Sequence, residues 1–273
     1  MVAMFLLSIY GRMIAYLPSW CVSLLSALVG RVALLTSLRS RVERGIRRFP
    51  GIRDDDVEDL AQKHVRFLVD VFHQLFYLRY HHRPLYRVDE KVRQEGEKYL
   101  RDALKGGKGT ILVSLHLGNF FWSISYLASA YPTNLLVRGE SNPRREAFGA
   151  KMRKKFGINT IYSTGAALKI KERLKKGEIV VFVMDQYLLP FFYGPDHPFR
   201  EIVPRAARIG DAPVIPFYTL HDGKQVTVRF LPPFTEVSSA GLEDMMMQAI
   251  KDHPHLWFWW RRLGKVRQGH WRS

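Results

Sequence analysis

Between Thr110 and Phe230, short apolar runs alternate with segments of helical period, and this alternation constrains the fold more than any other feature of the chain. The run Thr110 to Leu115 (TILVSL) is too short for a helix and shows no polar alternation, which predicts a strand buried on both faces. Leu135 to Arg138, Thr160 to Tyr162, Ile179 to Met184, Val214 to Tyr218 and Gln225 to Phe230 read as further strands. Between them lie helical stretches at Phe120 to Ala130, Arg144 to Phe156 and Ala166 to Lys176, the last closed by Gly177. The expected architecture is α/β: a mixed, largely parallel central sheet flanked by helices.

The N-terminal part reads differently. Met1 to Gly11 carries no charge, and after Arg12 a second uncharged run extends from Met13 to Gly30. That run has 18 residues, the lower edge of a membrane span, and Pro18 and three serines weaken it as one. A transmembrane or re-entrant helix, an amphipathic hairpin in the interface and a cleaved signal peptide all compete. The third is discounted because the extreme N-terminus lacks a basic region. Residues 31 to 48 hold six arginines against one acid, Glu43, which by the positive-inside rule keeps this flank cytoplasmic. The expected division is a membrane-associated segment over 1–36 and an α/β domain over 37–273. Helical spacing also runs from Asp54 to about Tyr80, and Glu90 to Leu104 reads as another helix.

A net charge of +17 limits the partners to nucleic acid, an anionic membrane surface or an acidic protein. No nucleic-acid-binding motif accompanies the charge, and the apolar N-terminus favours the membrane. The single cysteine, Cys21, forms no intrachain disulfide and sits in an apolar stretch, so it reads as packing. His81 and His82 suggest a metal pair, but no acid or cysteine stands at ligand spacing. Gly106 to Thr110 precedes a strand and lacks the spacing of a phosphate loop, so it reads as a turn. The basic cluster from Lys151 to Lys176 is a solvated face or a docking surface. The tail holding Trp257, Trp259, Trp260 and Trp271 either packs on the domain or lies at a membrane interface.

Ligands of parallel α/β sheets bind beyond the carboxyl ends of the strands. Two such ends carry polar residues: His116 after the first strand, and Asp185 after Ile179 to Met184. A histidine between a strand and a helix can meet a substrate hydroxyl. It can equally do no more than hydrogen-bond loop backbone.

His-Leu-Gly-Asn at 116 to 119 resembles the signature of the lipid A late acyltransferases, within the wider lysophospholipid acyltransferase superfamily. The likeness extends to Arg138, Asn142-Pro143 and Arg153, to Gly177 with Asp185-Gln186, to Phe192-Tyr193-Gly194-Pro195 and to Ala212 through Pro216. The resemblance implies a glycerol-3-phosphate acyltransferase-like fold with an apolar, membrane-associated N-terminal helical segment. It implies transfer of a fatty acyl chain from an acyl carrier protein thioester, or from acyl-CoA, to a lipid or glycolipid hydroxyl, with no cofactor. The place implied is the cytoplasmic face of a bacterial inner membrane. His116 would be the general base, Gly118 and Asn119 would lie near oxyanion donors, and Arg138, Glu140, Asn142, Arg153 and Gln186 would bind substrate. Phe120, Phe121 and Trp122 would suit an acyl-binding wall.

One position departs from the pattern. The signature places an acid five residues after the histidine, and this chain has Phe121 there. Phenylalanine can neither fix the histidine's tautomer nor steady its charge; loss of the equivalent acid in a serine-protease triad costs roughly 10,000-fold in rate. Either another carboxylate supplies the role, Asp185 first and Glu140 second, or the chain binds lipid or carrier protein without turnover.

Overall fold

The computed structural model describes residues 2–80, 92–222 and 225–265. These sort into two compact units, one drawn from 2–80 and 250–265, the other from 92–249. His81, His82 and Trp271 lie outside the described residues.

The first unit is helical: α1 (Val2–Tyr16), α2 (Ser19–Leu34), α3 (Ser37–Ile46) and α4 (Val57–Tyr80), with a 3₁₀ turn at Asp54–Asp56 before α4. The uncharged run 13–30 is cut in two at Pro18, whose ψ of 148° is extended; proline lacks the donor and disfavours helix in the residue before it. Among the described residues no single helix is long and apolar enough to cross a membrane. One pair, Trp20–Leu34 with Ser37–Ile46, passes by length and composition together but is bent by 78°. α1 and α2 pack on α4, and α3 packs on the helical turn Trp260–Leu263. Gly45 permits that last contact, because a Cβ there would lie 2.0 Å from the Trp260 carbonyl oxygen. Trp257 and Trp260 are fully buried and meet edge-on at 4.6 Å, with Phe49 5.3 Å from Trp260. For these two tryptophans packing, not an interface, is what the structure contains. The large apolar area of each ring is removed from water, and Trp260 Nε1 donates to the Pro254 carbonyl at 2.6 Å.

The second unit holds the sheet. Its strands are β1 (Val92–Glu95), β2 (Thr110–Ser114), β3 (Thr133–Val137), β4 (Asn159–Tyr162), β5 (Ile179–Val183), β6 (Val214–His221) and β7 (Val226–Phe230). Their order is β1-β7-β6-β2-β5-β3-β4. All neighbours run parallel except the β6–β7 hairpin, so β1 and β7 oppose the other five. Every residue of β2 is buried, as the unbroken apolar run requires, whereas β7 alternates and the edge strand β4 buries only Ile161.

The helices are α5 (Glu97–Lys105), α6 (Phe120–Ala130), α7 (Pro143–Lys155), α8 (Ala166–Lys175), the single turn α9 (Asp185–Leu188), α10 (Ile202–Gly210) and α11 (Ser239–Asp252). α5 and α6 contact β2, β3, β6 and β7; α8 and α10 contact each other and β2, β4 and β5. Over 92–104, the described part of the helix expected from Glu90 to Leu104, the chain instead forms the strand β1, a turn at Gly96 and α5. Arg93, Gln94 and Glu95 are good helix formers, but pairing with β7 overrides that local preference. Gly96 takes φ 72°, and a Cβ on it would fall 2.3 Å from the Phe230 oxygen.

Candidate active site

The parallel pairing of β2 with β5 matches Thr110 with Ile179 and continues to Ser114 with Val183. Extending that register by two residues sets His116 beside Asp185. The Met184 amide still donates to the Ser114 carbonyl at 2.9 Å, so the alignment holds at the last residue of β2 and one residue past β5. Leu117 then donates to the Leu115 carbonyl at 2.8 Å, closing a tight three-residue turn about His116. This turn takes the chain out of the sheet and directs the imidazole over the carboxyl edge.

Asp185 is fully buried, and its hydrogen bonds include three from the backbone and side chain around it. His116 Nδ1 lies 2.6 Å from Oδ1, the Gln186 amide donates to Oδ1 at 3.1 Å, and the His116 amide donates to Oδ2 at 3.1 Å. Hydrogen bonds from such donors favour the ionised form of a carboxylate, against the opposing cost of its burial. An ionised acceptor at Nδ1 fixes the proton on that nitrogen, which puts the basic lone pair on Nε2. The His116 side chain is 20% exposed, so the ring bridges a buried anion and the surface. Such a pair can take a proton from a substrate hydroxyl and hold the resulting imidazolium.

α6 begins four residues after His116. The Asn119 side chain, itself buried, caps it by accepting from the Trp122 amide at 3.3 Å. Gly118 has φ 57°, and a Cβ there would lie 2.2 Å from the Thr219 carbonyl oxygen on β6. Its close approach is therefore to the neighbouring strand. The Phe120 ring stands edge-on to His116 at 4.7 Å. Phe121, at the position of the signature acid, packs edge-on against the buried Phe156 at 5.7 Å. Trp122 is 3% exposed and belongs to the core, so of the three aromatics only Phe120 and Phe121 remain half-exposed.

The other residues singled out from sequence divide into two groups. Arg138, one residue past β3, lies at the same carboxyl edge. Its Nη1 donates to the Tyr193 hydroxyl at 3.1 Å. Hydrogen bonding to Tyr187, followed by the pull of Tyr187 and Tyr193 on its charge, raises its pKa. Glu140, Asn142 and Arg153 form a separate constellation. The Glu140 amide donates to Glu146 at 2.9 Å, Asn142 caps α7 through the Arg144 amide at 3.0 Å, and Arg153 binds Glu146 at 2.6 Å and Thr160 at 2.9 Å. Glu140 itself is exposed, and the carboxylate that meets the His116 ring is that of Asp185.

Within the segment 187–199 the sequence reading used only 192–195, as part of the resemblance, and gave no role to Tyr187, His197 or Phe199. Tyr187 stacks on Tyr193 at 5.1 Å and on Phe199 at 5.1 Å, and His197 lies 4.8 Å from Tyr193. Partial burial, and then the Arg138 cation, lower the His197 pKa. Aromatic residues recurring between two prolines, just after a strand-end aspartate, were the available signal.

Residues 1–265 match the family model described as bacterial lipid A biosynthesis acyltransferase. A search of curated proteins finds no match.

Proposed function

The chain belongs to the bacterial lipid A biosynthesis acyltransferase family, and from that premise we propose that it moves a fatty acyl chain from an acyl carrier protein thioester to a hydroxyl of a lipid or glycolipid, with His116 as general base. The observation that carries this reading is the 2.6 Å contact of His116 Nδ1 with Asp185 at the carboxyl edge of the sheet. His116 Nε2 takes the hydroxyl proton as the oxygen attacks the thioester carbonyl carbon. The tetrahedral oxyanion then collapses, the C–S bond breaks, and the departing thiolate takes the proton from His116. Backbone donors at the N-terminus of α6, around Gly118 and Asn119, stand nearest the developing oxyanion, and the positive end of that helix favours it. Arg138 adds a cation at the same edge.

The reaction site we propose is the cytoplasmic face of a bacterial inner membrane, with residues 1–36 on the lipid. Met13, Trp20, Leu24, Leu28 and Leu35 are between 59% and 88% exposed on α1, α2 and the residue after α2. Outward apolar side chains at such spacing suit a helix lying in the interface, beside arginines that suit anionic head groups. The charge of +17 also favours an acidic carrier protein as donor.

The test is turnover. Purified protein is incubated with acyl carrier protein thioester or acyl-CoA and with glycolipid, aminolipid or lysophospholipid acceptors, and products are read by mass spectrometry. Acyl transfer from the carrier protein that disappears in His116→Ala is the expected result. Equal activity in that variant removes the proposed base. Binding of lipid or carrier without turnover points to a silent homologue.

A further inference from the structure

Arg153, Arg200 and Arg229, all in the sheet unit, each meet a carboxylate: Glu146 at 2.6 Å, Glu243 at 2.7 Å and Glu95 at 2.7 Å. Arg138 does not. Its partners are phenol oxygens: Nη1 donates to the Tyr193 hydroxyl at 3.1 Å, and Tyr187 accepts a further hydrogen bond. Among the described residues no carboxylate pairs with it. A neutral hydroxyl fixes a guanidinium without cancelling its charge. An arginine serving only solubility would gain nothing from being fixed, since ordering its side chain costs about 2 kcal/mol.

The two tyrosines sit on a braced strap. The Tyr187 ring stacks on Tyr193 with the planes 10° apart, and on Phe199 at 25°. At the base of the strap Arg200 Nη1 donates to the Leu188 carbonyl, which ties residue 188 to residue 200. Ser239 Oγ in turn donates to the Arg200 carbonyl at 2.8 Å. The Phe199 amide donates to His197 Nδ1 at 3.2 Å, so the neutral ring carries its proton on Nε2. His197 therefore adds a polar group to the cluster and no second charge.

Register places this charge. Leu135 of β3 pairs with Val181 of β5, and the same offset three residues on sets Arg138 level with Met184, the residue before Asp185. β3 lies two strand spacings from β2, or about 10 Å at roughly 4.8 Å each. A substrate reacting at His116 has other groups within that distance. The reacting thioester and hydroxyl are uncharged, but phosphate esters occur on lipid head groups and on the arm through which a carrier protein or coenzyme A holds its thioester. The guanidinium fork matches a phosphate.

We propose that Tyr187 and Tyr193 are positioning residues that hold the Arg138 guanidinium to grip a phosphate ester of a substrate. The proposal rests on the acyltransferase reading above, which sets the reacting bond at His116. The tyrosines act through Arg138: a guanidinium ordered before the substrate arrives has less freedom to lose on binding.

The experiment compares substrates that differ by one phosphate. The donors are acyl-phosphopantetheine and acyl-pantetheine. The acceptors are a glycolipid bearing one phosphate monoester and the same glycolipid after phosphatase treatment. In the native enzyme the phosphorylated member of one pair is expected to have the higher kcat/KM, and that pair identifies donor or acceptor as the source. Tyr193→Phe, which keeps the stacked ring and removes the hydroxyl, should reduce this preference about tenfold, through KM more than kcat. Tyr187→Phe should act in the same direction. Arg138→Met should erase the preference, and Tyr193→Phe should change it no further in that background. A loss equal for phosphorylated and phosphate-free substrates would make the tyrosines structural residues only and overturn the proposal. Equal kcat/KM within both pairs in the native enzyme overturns the phosphate site and leaves acyl transfer intact. If no combination turns over, calorimetric titration with the phosphorylated glycolipid and with acyl-phosphopantetheine decides. Binding weakened by Tyr193→Phe and by Arg138→Met keeps the site and overturns the acyltransferase reading. Binding unchanged by either variant, or absent from the native protein, overturns both.

Discussion

His116 and Asp185 are 69 residues apart in the chain and occupy matching places two residues past the ends of adjacent parallel strands. The same offset joins Thr110 to Ile179 and every pair between them and Ser114–Val183, so the sheet register itself delivers the carboxylate to the imidazole. An acid placed five residues after the histidine would have to reach back from α6. This acid is held instead by the strand next door and by the backbone amides of His116 and Gln186. A buried carboxylate thus contacts the imidazole although Phe121 occupies the signature position.

Asp185→Asn should leave the strands and the turn at Leu117 in place while removing the charge and the preference for a proton on Nδ1. By comparison with the serine-protease triad, kcat should fall up to about 10,000-fold, with a much smaller change in KM. Steady-state kinetics on both substrates measures the split. A kcat within a few-fold of native would mean that Asp185 has no part in holding His116 for catalysis.

Phe121→Glu should not improve the enzyme. Phe121 lies against Phe156, which is 1% exposed, and a carboxylate there would lose the ring contact and meet an apolar neighbour. The expected cost is about 2 kcal/mol, read as a lower urea midpoint. The double variant Asp185→Asn/Phe121→Glu should remain as inactive as Asp185→Asn alone. Recovery of turnover in the double variant would show that the 121 position still reaches the imidazole.

Much of the sheet was legible because its central strands are largely buried: β2 and β5 present short apolar runs without polar alternation. The register was not legible, since it depends on pairing across 69 residues, and with it the choice between Asp185 and Glu140 stayed open. β1 was hidden because Arg93, Gln94 and Glu95 favour helix locally and only pairing with β7 makes them a strand. Trp257 and Trp260 carry the same composition in a core as in an interfacial belt, and only Phe49 and Gly45 decide between them. Arg138 and Arg153 look alike in sequence; the structure separates them by partner, tyrosine hydroxyls for one and Glu146 for the other.

Gly118→Ala should disable the enzyme without touching a reacting group. Alanine at φ 57° costs about 1–3 kcal/mol, and its Cβ would lie 2.2 Å from the Thr219 oxygen, so the turn carrying His116 must shift. The expected result is a lower melting temperature together with a fall in kcat. Native turnover in a folded variant would show that the His116 turn tolerates displacement.

The apolar side chains turned outward from α2 make a separable prediction. Leu24 and Leu28 are 64% and 59% exposed, so Leu24→Glu/Leu28→Glu should leave stability nearly unchanged. Each leucine removed from a lipid interface forfeits about 2 kcal/mol, so sedimentation with phosphatidylglycerol-containing vesicles should weaken at least tenfold. Unaltered vesicle binding would place the membrane-facing surface elsewhere.

His64, fully buried in α4 with Nδ1 donating to the His255 carbonyl at 2.9 Å, supplies a pH dependence of stability. Burial, opposed by that hydrogen bond, lowers its pKa from 6.5 to about 4. The unfolded chain therefore binds a proton that the folded chain refuses between about pH 6.5 and 4. Stability from this group is complete above pH 6.5 and falls as the pH drops through that window, by on the order of 3 kcal/mol in all. His73 and His255, whose pKa values are also lowered by burial, act in the same direction, so the contribution must be read as a difference. Urea unfolding of the native protein and of His64→Gln at pH 7, 6, 5 and 4 provides it. The native curve should be steeper between pH 6.5 and 4; parallel curves would mean that His64 takes up its proton as readily folded as unfolded.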